Sequence, residues 1–315
     1  MTRIVAVLAL ALVAAPATAA DVVMTIPGPQ GVLSGTFVAA GPRAPVVVIL
    51  PGSGPTDRDG NNPLGIIAAP YRLLADALAA KGVATLRIDK RGLFASRAAI
   101  ADPNAVTIAD YAADAHGWAA AAAARTGNRC AWLLGHSEGG LIALMAAQDP
   151  RGLCGIVLVA APGRRFGDVL REQFRANPAN APILAPALAA IAAFEAGRRV
   201  DPAALPPPLL GLFRPAVQGY LIDLMAQDPA RLAAQAALPM LIVQGDRDLQ
   251  ISLADAAALA TAAPRATRVV VAGMNHVLKH VAGTGRAANL ATYADPSLPV
   301  APRAVDAIAT FVTAR

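Results

Sequence analysis

Only four histidines and two cysteines occur among the 315 residues, and phenylalanine, tyrosine and tryptophan together make up 4%. This scarcity narrows the available chemistry. No cluster of His, Cys and carboxylates has the spacing of zinc ligands. The one calcium-like run, Asp57-Arg58-Asp59-Gly60-Asn61, puts Ala68 where a twelve-residue EF-hand loop needs its bidentate glutamate. Neither a metal nor another cofactor is therefore expected, and Asp57, Arg58 and Asp59 are read as a charged loop bracing the segment before them. Basic residues also lack a pattern. The formal net charge of +6, or +5 without Arg3, is spread over short pairs such as Lys90-Arg91, Arg164-Arg165 and Arg198-Arg199. With no stripe of basic residues interleaved with aromatics, nucleic acid is excluded as a partner, and the pairs are read as solvated faces.

Long hydrophobic runs are missing as well. Hydrophobic residues make up 56% of the chain, but much of this is alanine, a strong helix former that is only weakly lipophilic. Residues 4–15 form the one long uninterrupted apolar stretch, about half of what a membrane-spanning helix requires. Arg3 before it and Ala17-Thr18-Ala19 after it complete the pattern of a signal peptide over residues 1–19. The mature chain is expected to begin near Ala20 or Asp21, in the periplasm or outside the cell, with no stable membrane insertion after cleavage. An oxidising compartment would let Cys130 and Cys154 pair. They open consecutive apolar runs, at the same end of what would be neighbouring strands, yet two buried free thiols fit the sequence equally well.

What the chain does contain is an alternation of strand-like and helical patterns. Residues 22–39 hold two short strand-like runs around Pro27-Gly28-Pro29-Gln30-Gly31, the signature of an antiparallel hairpin. Continuous apolar strands follow at 46–50, 84–89, 130–134, 155–161, 240–243 and 268–271, and helical spacing appears at 71–81, 107–125, 140–148 and 303–312. Strands apolar on both faces and separated by helices indicate an α/β fold, a mostly parallel central sheet with helices on both sides. Pro162-Gly163 closes the fourth of these strands, and more than seventy residues pass before the next. A structureless loop of that length is improbable in a compact domain. Residues 164–238, alanine-rich and broken by Pro206-Pro207-Pro208, are therefore expected to form a lid of short helices on a single domain spanning 20–315.

The most specific motif lies between the strand at 130–134 and the helix at 140–148. Gly135-His136-Ser137-Glu138-Gly139 satisfies G-x-S-x-G in the strand-to-helix context that gives the motif meaning, with Ser137 on a tight turn and its Oγ exposed. A nucleophilic serine needs a base. His116 falls inside a predicted helix, and the His136 side chain is expected to point away from Ser137. His276, in the loop after the last strand, lies where open sheets build their sites and is preferred to His280. The base needs a carboxylate to hold its tautomer. Asp246 and Asp248 follow the strand at 240–243, and Asp248, further past the strand end, is preferred, with Asp246 structural. Two N–H donors for an oxyanion are expected from Glu138, the residue after the serine, and from Ser53 or Gly54 in the Gly52-Ser53-Gly54 loop. The Glu138 side chain is left to meet solvent, a basic neighbour or the substrate.

The order Ser137, Asp248, His276 and these motifs resemble the α/β-hydrolase superfamily over nearly all of the mature sequence. The chain is most similar to bacterial serine esterases carrying G-S-G-P-x-D-R-D, matched by residues 52–59, with Arg87-Ile88-Asp89-Lys90-Arg91-Gly92, a G-H-S-x-G-G elbow and a G-x-x-D loop at 245–248. These relatives are known as serine aminopeptidase-like or lysophospholipase-like. The resemblance implies hydrolysis of a small-molecule carboxylic ester through an acyl-enzyme. A peptidase or acyltransferase using the same triad is the alternative, ahead of a non-catalytic binding protein.

Overall fold

Valine and isoleucine at 46–49 are stiff at χ1 and suit a pleated strand, and in the computed structural model, which describes residues 21–314, they form the buried heart of an eight-stranded sheet. The strands are β1 (Asp21–Pro27), β2 (Val32–Val38), β3 (Val46–Leu50), β4 (Ala84–Ile88), β5 (Ala131–His136), β6 (Leu153–Val159), β7 (Met240–Gly245) and β8 (Thr267–Val271). They lie in the order β1-β2-β4-β3-β5-β6-β7-β8. β1, β2 and β4 pair antiparallel, and β4 through β8 run parallel. The hairpin and the parallel core are those read from the sequence. The expected signal segment lies outside the described residues.

Helices cover both faces. They are α1 (Pro70–Ala79), α2 (Ile108–Thr126), α3 (Glu138–Ala146), α4 (Phe166–Ala176), α5 (Leu184–Glu195), α6 (Pro207–Leu210), α7 (Gln218–Ala226), α8 (Pro229–Gln235), α9 (Leu253–Ala262), α10 (Gly285–Ala291) and α11 (Pro302–Thr313). Side chains alternate along each strand, so Val46, Val48 and Leu50 join the core under α2 and α3, while Val47 and Ile49 join the core under α1 and α11. Between β6 and β7, helices α4, α5 and α7 pack on one another, and α8 packs against α3 and α9. Prolines at the first turns of α6 and α8 set φ where the missing N–H costs nothing.

The basic pair Lys90-Arg91 corrects the expectation of a solvated face. Both residues are buried. Arg91 forms ion pairs with Asp110 and Asp114 on α2, and Lys90 forms one with Glu138. A buried cation persists where carboxylates answer it, and these carboxylates lie too far along the chain for local patterning to reveal.

Cys130 and Cys154 are joined in a disulfide with Cα atoms 5.3 Å apart, at the amino-terminal end of β5 and β6. Closing a loop with a sequence separation of 24 is worth about 3 kcal/mol against the unfolded chain. The bond sits at the sheet edge opposite the loops discussed below. Replacing both cysteines with alanine is expected to lower the melting temperature by about 5 °C, as scanning calorimetry will read.

Candidate active site

Parallel pairing sets the carboxyl ends of β3, β5, β7 and β8 along one edge, so the loops that follow them converge. Leu50 lies opposite Gly135 in the register of β3 and β5, which brings the loop at residues 51–54 against the turn at Ser137. A Cβ built on Gly52 would lie 3.2 Å from the Ser137 Cβ.

Ser137 occupies φ 54°, ψ −125°, a conformation costly for a residue with a Cβ, and it is the N-cap of α3. Its backbone is held on both sides. The Ser137 N–H donates to Val159 O at 3.0 Å, and its carbonyl accepts from Gly140 N at 2.8 Å. The turn also requires close backbone approach. A Cβ at Gly135 would lie 2.1 Å from Gly139 O, and one at Gly139 would lie 2.2 Å from Leu50 O. Both positions therefore exclude any side chain. Glu138 is the first residue of α3, so its N–H has no intrahelical acceptor. Ser53 and Gly54 are exposed, and Gly54 has positive φ.

The loops after β7 and β8 bring Asp248 and His276 together. His276 Nδ1 lies 2.9 Å from Asp248 Oδ2, with both side chains almost fully buried. Asp248 Oδ1 accepts from the N–H groups of Gln250 (2.7 Å) and Ile251 (3.0 Å). Burial alone would raise the Asp248 pKa, but His276 and these amides outweigh it and hold the carboxyl below its ordinary value. An ionised carboxylate only accepts, so Nδ1 carries a proton, and in the neutral imidazole Nε2 is the nitrogen with the lone pair. Neither His276 Nε2 nor Ser137 Oγ has a hydrogen-bond partner among the described residues.

The other candidates take different places. Asp246 accepts from Gly273 N at 2.7 Å and so fixes the start of the His276 loop. Exposed His280 stacks over that same Gly273. His116 Nε2 donates to Ala146 O, the last carbonyl of α3, at 3.1 Å. The charged loop is tied down as its composition suggests, because Arg58 reaches Asp89, Thr36 and Ser34 while Asp57 folds back on the amides of Asp59 and Asn61. Asn289, not singled out in the sequence, donates to Arg247 O at 2.6 Å and accepts from Asn275 Nδ2 at 3.2 Å. It joins the acid loop to the base loop.

A second unforeseen group lies beneath the turn. His136, next to Ser137, hydrogen-bonds Tyr71 Oη through Nδ1 (2.8 Å) and the His276 carbonyl through Nε2 (2.8 Å), and Tyr71 Oη accepts from Gly52 N at 3.0 Å. The carbonyl can only accept, so Nε2 carries the proton, Nδ1 receives the tyrosine proton, and every direction in the chain is fixed. The loops of Gly52 and His276 are thereby tied together through one buried neutral imidazole. Burial, and then the neighbouring His276, push the His136 pKa down to about 3.

The fold is that of the α/β-hydrolases. Residues 66–188 match the family model of the serine aminopeptidases, S33, a span that includes Ser137 and stops short of Asp248 and His276. Esterase EstD of Thermotoga maritima is 28% identical over 215 residues, which are 67% of this chain and 48% of that protein. The chain thus spans about half the length of the curated relative it matches. Among solved structures, Est1E from Butyrivibrio proteoclasticus superposes with a TM-score of 0.57 at 17% identity, over 93% of this chain and 99% of that one. A puromycin-hydrolysing peptidase of Mycobacterium tuberculosis gives 0.56 at 17% identity, over 97% of this chain and 41% of that one. At such identities the likeness is one of fold.

The His136 pKa carries a sign. Unfolded, this histidine takes up a proton near pH 6.5, and folded only near 3. The unfolded state therefore binds more protons between those values, so the stability is fully present above pH 6.5 and declines as pH falls toward 3. Urea denaturation at a series of pH values should show a His136→Gln variant less stable at pH 7.5. Between pH 6 and 4 its stability should depend on pH less steeply than that of the wild type, by up to about 1.4 kcal/mol per pH unit.

Proposed function

We propose that the chain is a serine esterase working through an acyl-enzyme. The observation that carries this reading is a pairing. Ser137 stands on a strained turn at the head of a helix, beside a loop whose histidine has one nitrogen fixed by a buried carboxylate and the other carrying a free lone pair. Ser137 Oγ attacks the ester carbonyl while His276 Nε2 takes its proton, and the resulting imidazolium is stabilised by Asp248. The tetrahedral oxyanion accepts from Glu138 N–H and from Ser53 or Gly54 N–H, and the dipole of α3 favours the same charge. Collapse expels the alcohol with the His276 proton. Water then repeats the sequence on the acyl-enzyme and releases the acid. The similarity to an esterase of Thermotoga maritima supports ester over amide.

The helices between β6 and β7 are the lid of this reading. Phe194 and Phe213, edge to face with centroids 5.3 Å apart, are consumed in the packing of that segment, and its abundant alanine leaves an apolar but modest pocket suited to small or medium acyl groups. Export to the periplasm or beyond is part of the same proposal, supported by the disulfide between Cys130 and Cys154.

A fluorophosphonate is expected to add covalently to Ser137, located by peptide mass mapping, and an acyl-ester panel run beside aminoacyl amides should show ester turnover greatest at short and medium chains. Fastest cleavage of the amides would make the chain a peptidase, and absence of both labelling and turnover would make it a binding protein.

Substitution separates the roles. Ser137→Ala and His276→Ala should each lower kcat by about 10⁴ or more, and the double variant should be little worse than either, since the two act as one unit. Asp248→Asn should be milder but still damaging. Asp246→Asn should remain close to wild type, and the reverse order of these two would transfer the acid's role to Asp246.

A further inference from the structure

Lys90 follows β4 in a loop, yet its ammonium lies almost fully buried and makes two hydrogen bonds, to Gly52 O at 2.8 Å and to Glu138 Oε1 at 2.7 Å. Each partner belongs to one of the two segments that carry the candidate oxyanion donors. Glu138 Oε2 is buried near the Tyr220 hydroxyl, and Lys90 is the one cation that answers the carboxylate among the described residues. The Tyr111 ring closes one side of the ammonium, its centroid 5.2 Å away.

The covalent chemistry of the peptide gives the first contact its meaning. Gly52 C=O and Ser53 N–H are the two ends of one planar amide, and in a trans peptide they point in opposite directions. The peptide bonds here are trans. A cation held under Gly52 O therefore turns Ser53 N–H to the far side of the plane; Ser53 is exposed, and Gly52 beside it lies against Ser137. The same cation draws electron density through the amide and makes that N–H a stronger donor, because hydrogen bonds in series polarise one another. The neighbouring N–H groups are placed differently: Gly52 N–H is already engaged by Tyr71, and the Ser53 carbonyl, which shares its amide with Gly54 N–H, accepts from the neutral Thr56 hydroxyl at 2.9 Å, a weaker polariser than an ammonium.

We propose that Lys90 is the positioning residue of the oxyanion site. It orients and polarises Ser53 N–H through the Gly52–Ser53 peptide, and it locks that donor to Glu138 N–H through the Glu138 side chain. The inference rests on the esterase reading. It assigns the second donor to Ser53 and explains why the residue after Ser137 is a buried glutamate.

Lys90→Met removes the ammonium and keeps most of the packing, and Lys90→Met/Glu138→Gln removes the stranded charge as well, which keeps the test available if the single variant does not fold. With a p-nitrophenyl butyrate substrate, either folded variant is expected to lose kcat by about ten- to a hundredfold with KM moving less than about threefold, short of the loss of a whole donor. The inhibition constant of an aryl trifluoromethyl ketone, whose adduct carries a real oxyanion, should rise by the same factor as kcat/KM falls. A purely structural role would not couple those two quantities. Fluorophosphonate labelling of the variants should still reach completion at Ser137, only more slowly. A variant with wild-type melting temperature and kcat within about twofold of wild type overturns the proposal, as does a loss of kcat/KM with an unchanged ketone constant. If the wild-type protein neither labels nor turns over esters, the esterase reading fails first, and this inference falls with it.

Discussion

Everything at the working edge of the sheet depends on how closely α3 can approach β3 and β5. The backbone at Gly139 passes so near Leu50 O that a Cβ would reach within 2.2 Å of it, and Gly135 faces Gly139 just as tightly. This contact goes with the unfavourable φ of Ser137, which stands at the N-terminus of α3. The strain persists because the flanking backbone is hydrogen-bonded to β6 and into the helix, so relaxing one residue would mean breaking a ladder. A helix standing further off would relieve the serine, and would also carry Glu138 away from the loop after β3.

From that contact the polar interior is arranged in two ties. One runs from Gly52 through Tyr71 and His136 to the His276 carbonyl, and uses only neutral groups. The other runs from Gly52 O through Lys90 to Glu138, and uses a charge pair. Both begin on the same residue, one at its N–H and one at its carbonyl. A loop that in isolation would sample many conformations is thus held at both ends of a single glycine, and the geometry of a site is only as precise as the shell that supports it.

The sequence made the scaffold legible and left these ties hidden, for reasons of distance. Strands such as Val46–Leu50 and the turn around Ser137 are written in residues adjacent to one another, where periodicity and small side chains speak directly. Asp248 and His276 were legible because topology alone puts the loops after β7 and β8 together, and their separation of 28 residues did not need to be guessed. Lys90 meets Glu138 across 48 residues and Tyr71 meets His136 across 65. Nothing local distinguishes Lys90 from a surface lysine, and Lys90-Arg91 accordingly reads as solvated until the carboxylates of α2 and α3 are placed beside it. Tyr71 reads only as an apolar position of a helix. The cysteines were evenly balanced between pairing and packing, because side-chain direction at the start of a strand follows from register, which residue types at 130 and 154 do not specify.

The segment between β6 and β7 has a further consequence for how such a protein can change over generations. The pairing of Ile156 with Met240 through Val159 with Val243 is uninterrupted, although α4 to α8 intervene in the chain. To the sheet, those residues amount to one long loop, and the entropy of closing a loop rises only slowly with its length. Changes of length between α4 and α7 need not alter the strand register, whereas α8 is tied to the Ser137 helix through its packing on α3. The segment can therefore vary in length while the order and pairing of the strands beneath it stay the same.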